Sequence, residues 1–281
     1  MPPDVTVVIP TYNRRDFLPE AVASCFDGND GLGIEIVVVD DGSTDGTQTW
    51  AESLDDDRIT YLHQENQGAQ VARNRGMEQA EGQYIKFLDD DDELLPGMLS
   101  EEVKELQEGK AAISCGYLLV QGPEQEFTFD QTSDPDLISG IFRGSVWTHP
   151  HVFLYRSSAL QNCEWDPAIP YHQDTAFATQ ATTQGLSEVV LDQPVALYRD
   201  HEGESISNNR KSQASAVERA ELQVELISRG IERLREHSCL KEHHLQAAVE
   251  GMWQWAHIIS GYELDQFDRV FERIRSICPS Y

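Results

Sequence analysis

Basic residues are scarce in this chain. Against 49 aspartates and glutamates stand 21 lysines and arginines in 281 residues, a formal net charge of −28. Nucleic acid is bound through basic surfaces, so this balance excludes it as a general partner. Repulsion from bare anionic lipid follows for the same reason. Long apolar runs are also missing, and none nears the roughly 18 residues of a membrane span. The five cysteines, Cys25, Cys115, Cys163, Cys239 and Cys278, are far apart and form no C-x-x-C pair. Their odd number and spacing indicate neither a disulfide framework nor a zinc knuckle. The start, Met1-Pro2-Pro3-Asp4, lacks the basic and apolar segments of a secretory signal. These absences predict a reducing, cytoplasmic setting, with a peripheral position at the membrane as the alternative.

The residues that are present suffice for a folded body. Hydrophobic residues make up 40% and aromatics 9%, so the chain can bury a sizeable core. Nearly all of the negative excess lies before residue 210, while 210–281 is close to neutral. That shift marks a domain boundary near Asn208-Asn209. The excess itself reads as a solvated acidic surface, of the kind a salty cytoplasm favours.

Strand and helix patterns alternate along the first part. Val5-Thr6-Val7-Val8-Ile9-Pro10 and Ile34-Glu35-Ile36-Val37-Val38-Val39 are β-branched apolar runs, as buried strands are. Ile59–His63 and Tyr84–Leu88 read the same way. Helical spacing appears over Arg14–Cys25, Thr44–Leu54 and Gln70–Ala80. This alternation predicts an α/β, mostly parallel sheet whose ligands bind at the carboxyl ends of the strands. Ala112–Val120, Val152–Tyr155 and Glu188–Tyr198 predict further strands, Asp174–Gly185 a helix, and Pro123–Gly140 a loop-rich insertion. Beyond Asn209 three apolar stripes predict helices only, beginning with Val217, Ala220, Val224, Ile227, Ile231 and Leu234.

The strand ends hold the reactive side chains. Asp89-Asp90-Asp91-Asp92 comes directly after Phe87-Leu88. Four carboxylates there repel one another unless a hard cation such as Mg²⁺ or Mn²⁺ is bound; a solvated turn or helix start is the bland alternative. Asp40-Asp41-Gly42-Ser43 ends the second strand, where a carboxylate can accept from a base N–H or a ribose hydroxyl. A plain turn would look the same. Pro10-Thr11-Tyr12-Asn13 ends the first, with Tyr12 offering a flat face. Asp174 opens a helix, where an N-cap is the simple role.

The order of these segments resembles the family 2 glycosyltransferases, an inverting group with the GT-A fold. Val7-Val8-Ile9-Pro10-Thr11-Tyr12-Asn13-Arg14 is similar to the family's opening. The run Val37 to Thr47 resembles its second block. Asn66-Gln67-Gly68, Ala72-Arg73-Asn74-Arg75-Gly76 and Gly82 to Asp92 resemble the third, which contains the D-x-D metal motif. The resemblance is dense over 5–97 and weaker through Phe153–Leu160, Gln173-Asp174 and Tyr198–His201. It stops before 210–281.

The resemblance implies a Rossmann-like, mostly parallel GT-A catalytic domain over 1–209 and a helical C-terminal extension over 210–281. Within the domain, 1–97 would bind nucleotide sugar and metal, and 98–209 would form the acceptor side. It implies a UDP- or GDP-sugar donor, Mn²⁺ or Mg²⁺, and a saccharide, lipid-linked or small-molecule acceptor. Carried over, Pro10, Thr11, Tyr12 and Asp40 surround the base, and Arg73 approaches the nucleotide. Asp89 and Asp90 reach the ribose and metal shell, and Asp91 is the direct metal ligand. His201 matches a histidine near the diphosphate or metal. The general base falls on Asp174, although Gln173 stands where the family has Glu. Trp147, His149 and His151 lie where relatives bind acceptor. A sugar-phosphate nucleotidyltransferase would need a Gly-rich basic first loop, which is absent. A binding module without turnover is the other alternative, permitted by Gln173 but opposed by Asp91 and Asp174. The extension is expected to pack as a helical cap or to join two copies, with a membrane-surface helix pair as the rival.

Overall fold

The structure is a computed structural model describing residues 2–121, 126–128, 134–199, 213–260 and 264–278. Its strands are β1 (Val5–Thr11), β2 (Ile34–Asp40), β3 (Ile59–His63), β4 (Tyr84–Phe87), β5 (Glu93–Leu94), β6 (Ile113–Gln121), β7 (Glu126–Thr128), β8 (Phe153–Arg156) and β9 (Glu188–Arg199). Its helices are α1 (Leu18–Ser24), α2 (Thr47–Glu52), α3 (Ala69–Gln79), α4 (Met98–Glu108), α5 (Leu137–Arg143), α6 (Gln173–Thr182), α7 (Gln213–Glu236), α8 (Glu242–Ser260) and α9 (Leu264–Ile277).

The chain divides into two compact units. The first comprises residues 1–130, 149–168 and 186–201 and contains the sheet. Its strand order is β3-β2-β1-β4-β8-β6-β9-β5, with β7 beside β6. β1 pairs in parallel with both β2 and β4, and β2 in parallel with β3. Every residue of β1 is buried, which is why the strand reads as an unbroken apolar run. The far half is mixed: β8 runs antiparallel to β4 and β6, while β9 is parallel to β6. The expected sheet is therefore parallel throughout only across β3-β2-β1-β4.

Strand order reverses at β1, since β2 and β3 lie on one side and β4 on the other. Such a reversal opens a crevice at the carboxyl ends. Pro10 reinforces it. Val8 O accepts from Leu88 N at 3.0 Å, so Pro10, two residues on, turns its nitrogen to the same side. Without an N–H it cannot donate toward Leu88, so the β1–β4 ladder ends there. Helix α3 packs closely over β1. A Cβ on Gly76 would come within 2.3 Å of Val8 Cγ1, so only glycine admits that approach.

The second unit comprises residues 131–148, 169–185 and 202–281. The expected boundary at 208–209 lies outside the described residues. Two segments placed in the front domain by sequence, around α5 and α6, belong to this second unit. The insertion expected over 123–140 ends in ordered helix, because Asp136 caps α5 by accepting from Ser139 N. The apolar stripe of α7 is buried, with Ala220 and Ile231 at 0% exposure. Helix α8 crosses α5 at Gly251, where an added Cβ would lie 1.8 Å from Phe142 O.

Candidate active site

The carboxyl ends of β1, β2 and β4 assemble one edge of the first unit. Register pairs Thr11 with Asp40, and Asp89 lies just past the end of β4. Loop bonds join the first two ends: Asn13 N donates to Ser43 Oγ, and Thr44 N to Asn13 Oδ1, both at 2.8 Å. Tyr12 is 49% exposed, with its ring open to solvent. Pro10 and Thr11 are buried, so they shape the floor and present no free face.

Asp40 is fully buried. Its Oδ1 accepts from Ser43 N at 2.8 Å and its Oδ2 from Tyr61 Oη at 2.5 Å. Burial and this carboxylate together push the Tyr61 phenol well above its usual range. The Tyr61 contact has no local sequence signal, because it depends on β3 pairing with β2. Asp41 has a structural task, accepting from Gln64 Nε2, Gln67 N and Gly68 N to shape the entry to α3.

The Ala72–Gly76 segment works residue by residue. Arg73 is 6% exposed, pairs with Asp89 at 2.5 Å and lies over the Trp165 ring at 4.5 Å. Asn74 fixes that tryptophan's backbone through two 2.8 Å bonds. Burial works against ionisation of Asp89, but the Arg73 guanidinium together with His149 and His151 outweighs it and holds the carboxyl at about 2.

The four aspartates have four different surroundings. Asp91 pairs with Arg14 at 2.6 Å, and each side chain keeps 20% exposure. Asp90 is buried, and desolvation with the neighbouring Asp91 charge pushes its carboxyl up to about 8. Asp92 Oδ1 accepts from Arg199 N at 2.8 Å, while its buried Oδ2 has no hydrogen-bond partner. Burial, then the Asp91 charge, pushes Asp92 well above the carboxylate range.

His149 and His151 join this acidic run. Ligand atoms of Asp89, Asp92, His149 and His151 all lie within 4.8 Å of one another. His151 is fully buried, its Nδ1 3.6 Å from Asp92 Oδ2, and burial keeps the imidazole neutral. A side chain so enclosed cannot meet an acceptor, which corrects the expectation for His151. His149 is half-buried beside it, with ring centroids 4.4 Å apart. Nothing in the local sequence signals that this pair approaches Asp89, because the two lie some sixty residues further along the chain. The remaining members behave differently. His201 lies outside the described residues. Asp174 and Trp147 stand in the second unit, both half-buried. The N-cap of α6 is His172, in a left-handed conformation at φ 54, so Asp174 sits inside the first turn and is not the cap.

Residues able to hold a divalent cation are therefore present. Hard carboxylates are concentrated at one strand end, and buried donor atoms without partners, Asp92 Oδ2 and both His151 nitrogens, back them. Residues 6–166, more than half of the chain, match the family model described as Glycosyl transferase family 2.

The chain belongs to glycosyltransferase family 2.

Among its relatives is the GalNAc(5)-diNAcBac-PP-undecaprenol beta-1,3-glucosyltransferase of Campylobacter jejuni, 42% identical over 172 residues, covering 57% of this chain and 54% of that one. The putative teichuronic acid biosynthesis glycosyltransferase TuaG of Bacillus subtilis is 38% identical over 122 residues, covering 42% and 48%. The chain thus spans about half the length of these curated relatives. Among solved structures, residues 1–349 of S. aureus TarS in complex with UDP-GlcNAc superpose with a TM-score of 0.67 at 18% identity, covering 95% of this chain and 83% of that one. The mannosyltransferase PcManGT of Pyrobaculum calidifontis, in complex with GDP-Man and Mn²⁺, gives 0.58 at 19%, covering 93% and 75%. These likenesses establish the GT-A fold. Among the described residues no helix is long and apolar enough to cross a membrane.

Proposed function

We propose that this chain transfers a sugar from a UDP- or GDP-sugar to an acceptor hydroxyl, with inversion at the anomeric carbon. The observation that carries the reading is the edge at the β1–β4 reversal, where Asp40, the Arg73–Asp89 pair and Asp91 converge. Tyr12 offers its exposed ring to the base, and Asp40, enclosed and bonded to Ser43 and Tyr61, fixes the turn beside it. Arg73 sets Asp89 toward the ribose. Asp91 and Asp89 retain partial exposure, 20% and 24% at the side chain, so both are open to a cation at the diphosphate, for which Asp91 would be the direct ligand. Arg14 lies 2.6 Å from Asp91 and pairs with its charge. A divalent cation held by Asp91 would neutralise charge on the leaving nucleoside diphosphate.

Asp174 is the general base in this reading. A sugar hydroxyl is a poor nucleophile, and the carboxylate takes its proton as the oxygen attacks. Trp147 is an acceptor contact from the same unit. Support for donor class comes from the UDP-GlcNAc and GDP-Man complexes of the structural relatives. The C. jejuni relative's name specifies a lipid-linked oligosaccharide, which favours a lipid-linked saccharide acceptor here and a peripheral membrane position.

A thermal-shift panel of UDP- and GDP-sugars with Mn²⁺ identifies the donor, since ligands of the native state raise its melting temperature. Single-turnover transfer then tests the base. Asp174→Asn should lower transfer by about 10²–10⁴-fold with donor affinity retained. A near-wild-type rate refutes the assignment.

A further inference from the structure

The second unit holds a cluster of three donors that the proposed reaction does not use. Asp136 caps α5 through Oδ1, which accepts from Ser139 N at 3.0 Å. Its other oxygen, Oδ2, meets two imidazoles at once: His243 Nε2 and His244 Nε2, each at 2.8 Å. The two rings are nearly perpendicular, 79° apart with centroids separated by 4.3 Å. All three donor atoms lie within 4.8 Å of one another. His244 is nearly enclosed, Asp136 largely so, and the His243 side chain remains 34% exposed.

We propose that Asp136, His243 and His244 form a site for one divalent cation of the zinc class, which ties the start of α5 to the start of α8. Two imidazoles and a carboxylate are the ligands such a borderline cation takes, with water in the fourth position. The Ser139 N–H fixes the carboxylate from behind, as an outer-shell contact does in built metal sites. The exposed flank of His243 gives a route in and room for water.

Three hydrogen bonds must change: the two between the imidazoles and Asp136 Oδ2, and the one at His244 Nδ1. Lys241 N donates to His244 Nδ1 at 3.1 Å, so without a cation the His244 proton sits on Nε2 and points at Asp136. Binding moves this proton to Nδ1 and frees Nε2 for the metal, and the His243 proton moves from Nε2 to Nδ1 in the same way. Each shift is a change of tautomer, so no proton is released. Lys241 is exposed, so water replaces the partner its N–H gives up.

The rival is a clasp of hydrogen bonds with no metal. Glutamine separates the two, because its amide can donate to Asp136 but is not a zinc ligand of this kind. Zinc binding to the full chain is measured by calorimetry and by metal content after dialysis, for wild type, His243→Gln and His244→Gln. Wild type should hold one equivalent more than either variant, with submicromolar affinity, and Zn²⁺ should raise its melting temperature more than theirs. UDP binding with Mn²⁺ should be unchanged, which keeps this result separate from the donor site. Equal zinc content in wild type and His243→Gln would overturn the proposal. So would affinity at this site no better than tens of micromolar, as a loose surface pair of histidines gives. His243 is partly exposed, so its variant remains informative if His244→Gln does not fold.

Discussion

Lys86 lies three residues before the acidic run, in the middle of β4, with no solvent exposure. Its ammonium meets Glu102 of α4 at 2.8 and 2.6 Å, and Ser114 Oγ donates to the same carboxylate at 3.3 Å. Lys86→Met keeps the length of the stem and removes the charge, leaving Glu102 alone in the interior. An isolated buried glutamate titrates near pH ~8–9, so Glu102 would be neutral at pH 7 in the folded variant. In the unfolded chain it titrates near its ordinary value of 4.5. Taking up that proton on folding costs about 1.4 kcal/mol per pH unit over about 2.5 units, or about 3.4 kcal/mol at pH 7. The sign is set by linkage. A folded pKa above the unfolded one means stability is lost as pH rises from 4.5 toward the folded value. The penalty should therefore shrink to about 0.7 kcal/mol at pH 5. Replacing both partners, Lys86→Met with Glu102→Leu, removes the stranded charge and should return stability to wild type or about 1–4 kcal/mol above it. Urea unfolding followed by tryptophan fluorescence at pH 5 and 7 measures all three. A single-variant penalty below about 1 kcal/mol at pH 7, or one independent of pH, would show that Glu102 is not held by Lys86 as the geometry requires.

Two further outcomes are expected. Asp91→Ala should abolish Mn²⁺-dependent UDP binding in calorimetry while circular dichroism stays native; unchanged affinity would move the cation to the cluster of Asp89, Asp92, His149 and His151. Gly251→Ala places a Cβ 1.8 Å from the Phe142 carbonyl oxygen, and backbone cannot rotate away as a side chain can. A loss of about 3 kcal/mol is expected, read as a lowered midpoint in thermal unfolding; an unchanged midpoint means that α8 does not cross α5 there.

The parallel half of the sheet was legible because its signals are local. Val5–Thr11 and Ile34–Asp40 are buried on both faces, so their apolar runs name them as strands without reference to the rest of the chain. The same holds for the stripes of α7 and α8, whose 3.6-residue period records a single buried face. The turn residues after each strand placed Asp40 and Asp89 at one edge. Helix α4 and the two-residue β5 had no such clarity. Glu102, on the buried face of α4, looks like a surface residue until Lys86 is known to lie beneath it.

The family, the order of its blocks and the strand ends that carry carboxylates can all be read from the residues in order. Those properties depend on neighbours along the chain, and a strand terminus fixes the direction of the residues after it. The individual state of each aspartate, by contrast, is set only once the chain has folded. Asp89 is held ionised by Arg73, Asp90 is driven toward neutrality by burial, Asp91 is paired with Arg14, and Asp92 is turned toward His151. Four identical side chains in a row differ in chemistry because solvent exposure and nearby charge come from segments well separated in the chain. The shared carboxylate of Asp136, met by histidines more than a hundred positions later, obeys the same rule: contacts closed by folding leave no mark in local sequence.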